Sequence, residues 1–285
     1  MKSNSVNKKK KDNRSVESST YGIIGSNMSF AASEAFKVLR TNLMFSIPTS
    51  EEKDYRVIGV TSSLKGEGKS TTAINLAYTV AQSGQRVVLI DADMRLPAIN
   101  RRLQIRQSPG LSNLLARLCK ANDSVVQSTL HENLYVIPAG DIPPNPSELL
   151  GSSYTEAVIK ALSAAFDCII FDLPPISSVA DGLVISKLLD GMVVVVRQDY
   201  CDTASLAETM RQLEFLKVKI LGFVLNCGDT SDNKYKYKYK NRYGYGYYKK
   251  PYRNDYYSEY KADKGEPMLA FDKNSSSDAD GGGVV

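Results

Sequence analysis

A glycine-rich segment between a strand-like run and a helix-like run is the feature that most constrains the fold of this chain. Residues 56–62 read RVIGVTS, a β-branched run typical of a buried strand. The segment SSLKGEGKSTT (62–72) follows directly, and apolar residues then recur at helical spacing from Ala73 to Ala81. The helical pattern stops at Gly84, a predicted C-cap. A strand, a glycine-rich loop and a helix in this order predict a phosphate-binding loop, because loop amides and a helix N-terminus converge on an anion.

The side chains of this loop suit a nucleotide. Gly66 and Gly68 let the backbone approach phosphates closely. Lys69 is predicted to reach the β- and γ-phosphates, and the hydroxyl of Ser70 to bind Mg²⁺. The usual pattern starts with Gly six positions before its lysine, where this chain has Ser63, and a polar turn that merely starts a helix is the alternative. The candidate ATP-binding residues are Lys65, Gly66, Glu67, Gly68, Lys69, Ser70 and Thr71.

Acidic residues follow two further strand-like runs. VVLIDADMRLP places Asp91 and Asp93 after one run, and CIIFDLPP places Asp172 after another. Ligands of open α/β sheets bind at the carboxyl ends of the strands, where these carboxylates supply oxygens for a hard cation. Any one of them could instead cap a helix. The sequence therefore predicts Mg-ATP binding, with Ser70, Asp91 and Asp172 as metal ligands.

The remaining runs extend the same architecture. Further Val/Ile-rich segments are LYVIPA, MVVVVR and ILGFVLN, and their continuity is typical of strands buried on both faces. Helical patterns are predicted over 31–47 and 203–217. The expected fold is α/β, a P-loop NTPase-like, mostly parallel sheet with helices on both faces. The predicted divisions are a disordered basic N-terminal arm (1–28), a P-loop domain (29–228) and a flexible tyrosine-rich tail (229–285).

Composition excludes several kinds of site. His131 is the single histidine, which argues against a His-based metal site or a Ser-His triad. Four scattered cysteines lack a CxxC pair, and three lie in or beside apolar runs, so buried free thiols are predicted. The longest apolar run, GMVVVV, is too short to span a bilayer, and a cytosolic location is expected.

Residues 233–260 concentrate phenols where no aliphatic residue could pack with them. This stretch contains no Leu, Ile or Val, and residues 234–261 carry nine Lys/Arg against two acids. Taken alone, the stretch fits a low-complexity segment for adhesion or nucleic-acid binding. Beside a nucleotide site, it fits a set of phosphate acceptors. The candidate acceptors are Tyr235, Tyr237, Tyr239, Tyr243, Tyr245, Tyr247, Tyr248, Tyr252, Tyr256, Tyr257 and Tyr260.

The order SLKGEGKST, LIDADMRLP, IIFDLPP resembles the Walker A, A′ and B motifs of bacterial protein-tyrosine kinases. The resemblance covers roughly residues 30–228 and ends, as in that family, in a tyrosine cluster. It implies an autokinase that regulates capsular or exopolysaccharide synthesis in Gram-positive bacteria and phosphorylates its tail in trans. It also implies catalytic roles for Lys69, Asp91 and Asp93, a Walker B role for Asp172, and an adenine contact at Asn226.

The same resemblance implies partners. Glu34, Lys37 and Arg40 are similar to the family's E-x-x-R-x-x-R ring motif, with Lys at the middle position, and a homo-octameric ring is implied. A separate membrane activator or polysaccharide co-polymerase would recruit the kinase to the inner face of the membrane, and a cognate tyrosine phosphatase is implied. No nucleic acid is expected. The alternative is the partitioning-type ATPase group, whose second lysine falls where this chain has Leu64.

Overall fold

A computed structural model of the chain describes residues 28–49, 53–120, 125–129 and 131–228. The described region forms one seven-stranded sheet in the order β3-β4-β2-β5-β1-β6-β7, parallel except for β3 against β4. The strands are β1 Arg56–Ser62, β2 Val87–Asp91, β3 Gln127–Ser128, β4 Leu134–Ile137, β5 Cys168–Asp172, β6 Gly191–Arg197 and β7 Ile220–Asn226. The helices are α1 Phe30–Ser46, α2 Lys69–Ala81, α3 Ile99–Leu103, α4 Leu111–Leu115, α5 Pro146–Gly151, α6 Ser153–Ser163, α7 Asp181–Ile185 and α8 Thr203–Phe215. A 3₁₀ turn, Ser186–Leu188, follows α7.

Apolar side chains cover both faces of the sheet. On one face α1 and α2 pack on the central strands through residues such as Leu43, Ile74 and Leu76. On the other face α4, α6 and α8 pack through residues such as Leu114 and Leu213. The expected parallel α/β architecture is therefore confirmed, because central strands of this kind need apolar partners on both sides.

The edge strand β7 differs from its prediction. Its residues alternate between half-buried and exposed, and the Phe223 and Leu225 side chains are more than half exposed. An edge strand has a neighbour on one side only, so a continuous apolar run did not guarantee burial on both faces. The helix predicted to end at residue 217 ends at Phe215, because Lys217 adopts a left-handed conformation.

The thiols also differ in part from their prediction. None of the four cysteines, all within the described ranges, forms a disulfide, but only Cys168 is buried, while Cys119 and Cys201 are half-buried and Cys227 is exposed. Cys227 follows β7 at the edge of the sheet, where the apolar run beside it is itself partly exposed. Within the described ranges no helix combines the length and the apolar character needed to cross a membrane.

Candidate nucleotide site

The parallel strands bring their carboxyl ends to one edge of the sheet. Asp91 and Asp172, the last residues of β2 and β5, are direct register partners. Asp172 is also paired with Val60 of β1, two residues before that strand ends. The loop that leaves β1 and the acids that end β2 and β5 therefore meet, as the sequence predicted.

The loop between β1 and α2 fits closely against the end of β7. Gly68 has a φ of +95°, and a Cβ at this position would lie 2.0 Å from Nδ2 of Asn226. That same nitrogen donates a hydrogen bond to the carbonyl of Glu67 at 2.8 Å. Asn226 thus fixes the shape of the loop, a role that family likeness alone did not predict.

Glu67 directs its side chain away from the loop's open side. The carboxylate is fully buried and accepts hydrogen bonds from the amides of Leu64 (2.6 Å) and Arg197 (3.3 Å). The carboxylate and the carbonyl of Glu67 are thus occupied within the chain, and its main-chain amide is the polar group that can bind an anion. Arg197 and Tyr200 hold the loop from outside, donating to the carbonyls of Gly66 and Lys65 at 3.3 and 2.9 Å.

Lys69, the first residue of α2, contacts the strand-end acids. Its ammonium lies 2.8 Å from Asp93 and 3.4 Å from Asp172, and the side chain is about 10% exposed. Burial acts to lower the pKa of Lys69, but the negative charges of Asp172 and Asp93 outweigh it and raise the pKa. Lys69 is therefore a charged group beside the loop, and the neighbouring Ser70 is also buried. Thr71 lies in the same helical turn and is half-buried.

Asp91 caps a helix, which is the alternative role that the sequence left open for these acids. Its Oδ2 accepts hydrogen bonds from the amides of Ala98 and Ile99, both 3.1 Å, and so caps α3. Its Oδ1 accepts from the amide of Asp93 at 3.3 Å. Burial, reinforced by the nearby charge of Asp172, raises the pKa of Asp91 to about 7.

The residues present fit a magnesium ion at Asp172 and Ser70. Asp172 is fully buried, and its Oδ2 accepts no hydrogen bond of normal geometry from the described residues. Burial raises the pKa of Asp172, and the ammonium of Lys69 opposes this. No three His, Cys, Asp or Glu side chains among the described residues form a metal cage. Mg²⁺ rarely uses such cages and commonly takes one or two carboxylates with substrate phosphates.

A cavity of about 310 Å³ opens over the loop. Its wall includes the predicted residues Lys65, Gly66, Gly68, Lys69, Ser70 and Asp93. The lining also includes three arginines that sequence reasoning did not assign to the site, Arg95, Arg101 and Arg102. For the last two, the Arg-Arg pair eight and nine residues after Asp93 was the available signal. Asp91 is not part of the cavity lining.

The predicted ring residues lie on α1, away from this cavity. Lys37 pairs with Glu34 at 2.7 Å, an exposed i,i+3 ion pair. Arg40 donates to the carbonyl of Thr79, in the last turn of α2, at 3.0 Å. The structure thus gives Arg40 a partner within its own chain. The eleven candidate acceptor tyrosines lie outside the described residues.

Fold and site together define a P-loop nucleotide-binding protein of the parallel α/β class. An AAA domain family matches residues 55–220. The tyrosine-protein kinase YwqD of Bacillus subtilis is 37% identical over 194 residues, covering 68% of this chain and 80% of that protein. The chimerical protein CapA2B2 superposes with a TM-score of 0.67 at 33% identity, covering 73% of this chain and 89% of the other. The kinase domain of the Escherichia coli tyrosine kinase ETK gives 0.64 at 30%, covering 76% and 80%. The chain belongs to the bacterial tyrosine-protein kinases.

Proposed function

We propose that this protein is an ATP-dependent tyrosine autokinase that phosphorylates its own C-terminal tyrosine cluster in trans and thereby regulates capsular or exopolysaccharide synthesis. The observation that carries the proposal is the contact of Lys69 with Asp93 and Asp172 beneath the loop. This contact places the Lys69 ammonium and the carboxylate of Asp93 in the lining of the cavity over the loop, with the buried carboxylate of Asp172 next to the ammonium. The kinship with the Bacillus subtilis kinase supports the choice of tyrosine as acceptor.

The chain's own groups would divide the work of phosphoryl transfer. The loop amides from residue 65 to residue 70 hold the phosphates, and Lys69 neutralises charge on the transferred group. When bound, Mg²⁺ supplies further charge neutralisation between the phosphates, and Ser70 and Asp172 are the residues that would hold it. The Lys69 ammonium is already compensated by acids, so binding of phosphates exchanges one set of anionic partners for another.

We assign acceptance of the tyrosine proton to the pair Asp91 and Asp93. Asp93 lies on the cavity wall, within reach of an entering side chain. Asp91 lies behind it with a pKa near 7, the range in which a carboxylate is an effective base at neutral pH. The main-chain amide of Asp93 donates a hydrogen bond to Oδ1 of Asp91, which holds the two residues next to each other.

The tail would supply the acceptor. The end of β7 lies beside the loop, because Asn226 contacts the carbonyl of Glu67, and the proposed flexible tail, residues 229–285, follows two residues later in the sequence. Residues 234–261 carry a charge of +7, nine basic minus two acidic side chains. Each phosphate adds about −1.5 to −2, so about four or five modifications would reverse that charge. A tail attracted to a neighbouring subunit's acids would then be released from the proposed ring.

Recruitment to the membrane is also part of the proposal. A separate membrane activator with a cytoplasmic segment, and a cognate phosphatase that resets the tail, would complete the cycle. The similarity to CapA2B2, which is described as a chimerical protein, is consistent with such a two-component arrangement.

A trans assay tests the proposal. Full-length wild-type protein is incubated with Mg-ATP and a size-tagged, full-length Lys69→Met variant, and phosphotyrosine is detected on each band. We expect phosphotyrosine on the tagged band, no labelling when the variant is incubated alone, and none on a chain truncated after Gly228. Phosphate release without any phosphotyrosine would contradict the proposal and favour a partitioning-type ATPase.

A candidate activator segment should be included in a parallel reaction. If transfer is limited by positioning, the segment raises the rate of phosphotyrosine formation without changing which band is labelled.

A further inference from the structure

The cavity over the phosphate loop has a basic wall that the motifs do not explain. Arg101 and Arg102 lie near the end of α3, and this short helix is held in place from both sides. Ile99 and Leu103 are buried in the core, and Asp91 caps the helix. The two arginines are therefore carried by an anchored element rather than by a free loop.

Three other cations around the cavity have partners within the chain, whereas the Lys65 side chain is exposed to solvent. Lys69 contacts Asp93 at 2.8 Å. Arg95 forms a bidentate pair with the buried carboxylate of Asp181, at 2.9 and 3.1 Å. Arg101 is exposed and donates to the carbonyl of Pro97 at 3.0 Å. These groups are satisfied before any ligand arrives.

Arg102 differs from all of them. It is only half-exposed, and its buried Nε has no hydrogen-bond partner among the described residues. It forms no ion pair within the described part of the chain. Burial lowers the pKa of its guanidinium, and the charge of Asp172 opposes that effect. A buried guanidinium nitrogen without a partner is costly, and an anion bound in the cavity would compensate the charge of this group.

The position of Arg102 indicates which anion this is. Residues of the phosphate loop and Arg102 line the same cavity, and Asp172, the candidate metal ligand, is close enough to act on the guanidinium. The γ-phosphate is the outermost group of ATP and has the most oxygens left for a further cation once the loop and Lys69 have bound the chain of phosphates. We propose that Arg102 binds the γ-phosphoryl group of ATP and stabilises its negative charge during transfer to tyrosine. This role rests on the proposed kinase function.

In the reaction, the bond from the γ-phosphorus to the bridging oxygen of ADP breaks and a bond to the tyrosine oxygen forms. The phenolic proton passes to the Asp91–Asp93 pair, and ADP leaves with the bridging electron pair. Arg102 donates hydrogen bonds to the non-bridging oxygens and does not itself gain or lose a proton, because a guanidinium remains charged in proteins.

Nucleotide binding tests this role separately from catalysis. The affinities of full-length protein for ADP and for the non-hydrolysable analogue AMP-PNP are measured by calorimetry with Mg²⁺. We expect Arg102→Ala to weaken AMP-PNP binding about 10- to 100-fold, the range of a charge-assisted hydrogen bond, and to leave ADP binding within about twofold. Arg106→Ala, the control, replaces an exposed arginine that does not line the cavity and should change neither affinity by more than about twofold.

Arg102→Lys retains the charge and serves as a second test variant in case Arg102→Ala does not fold. Its affinity for AMP-PNP should lie between those of the wild type and Arg102→Ala. The lysine ammonium keeps the charge but cannot donate the two parallel hydrogen bonds of a planar guanidinium. Equal weakening of ADP and AMP-PNP in the arginine variants, or no weakening of either, would overturn the inference. A wild type that binds AMP-PNP through Arg102 but forms no phosphotyrosine would instead overturn the proposed kinase function and leave the contact standing.

Discussion

The ammonium of Lys69 lies 2.8 Å from the carboxylate of Asp93, at the floor of the cavity over the phosphate loop. In a nucleotide-free protein this contact keeps the lysine charged in a nearly buried position. Binding of a nucleotide must therefore compete with an existing ion pair. Substitutions around the loop should act through this compact arrangement of opposite charges or through the hydrogen bonds that hold the loop beside it.

Replacing Lys69 by Met should abolish phosphotyrosine formation and also lower the free energy of unfolding. The substitution leaves Asp93 and Asp172 without their cation, and loss of one partner from a buried pair costs about 3 kcal/mol. Urea unfolding measures the second effect. Lys65→Met is the control, since the Lys65 side chain is exposed and its loss should change stability by less than about 0.5 kcal/mol. Stability unchanged in Lys69→Met would contradict the described pairing.

Stability without nucleotide should depend on the ionisation of Asp91. Burial, with Asp172, raises the pKa of Asp91 from 3.8 to about 7, so the folded state holds this proton more tightly than the unfolded state. The contribution therefore favours folding at low pH and is lost as the pH rises from about 4 to about 7. Urea unfolding between pH 5 and pH 8 should show a smaller decline in Asp91→Asn than in the wild type.

Asp167→Asn is the control for this pH dependence. Burial acts to raise the pKa of Asp167, but hydrogen bonds from Arg86 outweigh it and lower the pKa, so its ionisation affects stability only in more acidic solution. The variant should keep the wild-type slope between pH 5 and pH 8. Identical slopes in wild type and Asp91→Asn would show that Asp91 is not the group that titrates.

Gly68→Ala should eliminate nucleotide binding. The new Cβ would lie 2.0 Å from Nδ2 of Asn226, and the φ of +95° disfavours any side chain. Gly84 offers a matched control, because it has a φ of +87° but no atom within 4 Å of the place that a Cβ would occupy. Gly84→Ala should cost about 1 kcal/mol in unfolding free energy and retain ADP affinity, measured by calorimetry. Equal loss of ADP binding in both variants would argue against the Asn226 contact.

Glu67→Ala should weaken nucleotide binding although its side chain points away from the cavity. The substitution removes the acceptor for the part-buried amides of Leu64 and Arg197, at a cost of about 2 kcal/mol. Tyr200→Phe removes only the outer hydrogen bond to Lys65 and should cost less than about 1 kcal/mol. Calorimetric titration with ADP and urea unfolding compare the two variants. If Tyr200→Phe lost more ADP affinity and stability than Glu67→Ala, Glu67 would not be the main support of the loop.

Arg40→Ala should destabilise the protomer by about 1 kcal/mol, because it removes the hydrogen bond from α1 to the end of α2. Lys37→Ala removes an exposed ion pair and should change the unfolding free energy by less than about 0.5 kcal/mol. Urea unfolding, measured at a concentration at which the protein is monomeric, reports the change in protomer stability without a contribution from subunit assembly. Equal effects of the two substitutions would contradict the intrachain role of Arg40.

The sequence by itself determined the order of elements and the location of the phosphate loop. Each of the Val- and Ile-rich runs forms a strand of the sheet, and the run RVIGVTS followed by KGEGKS predicts a loop between β1 and α2. The meeting of Asp91 with Asp172 also followed from sequence, since parallel strands end at one edge.

Only the tertiary structure decided which polar groups are already satisfied. Asp91 and Asp93 are two residues apart and chemically identical, yet one caps α3 and the other faces Lys69. Arg101 and Arg102 are neighbours with the same side chain, yet only the second has a buried nitrogen without a partner among the described residues. Composition and spacing cannot separate such pairs, because hydrogen bonding and burial depend on groups that are distant in the chain and adjacent only after folding.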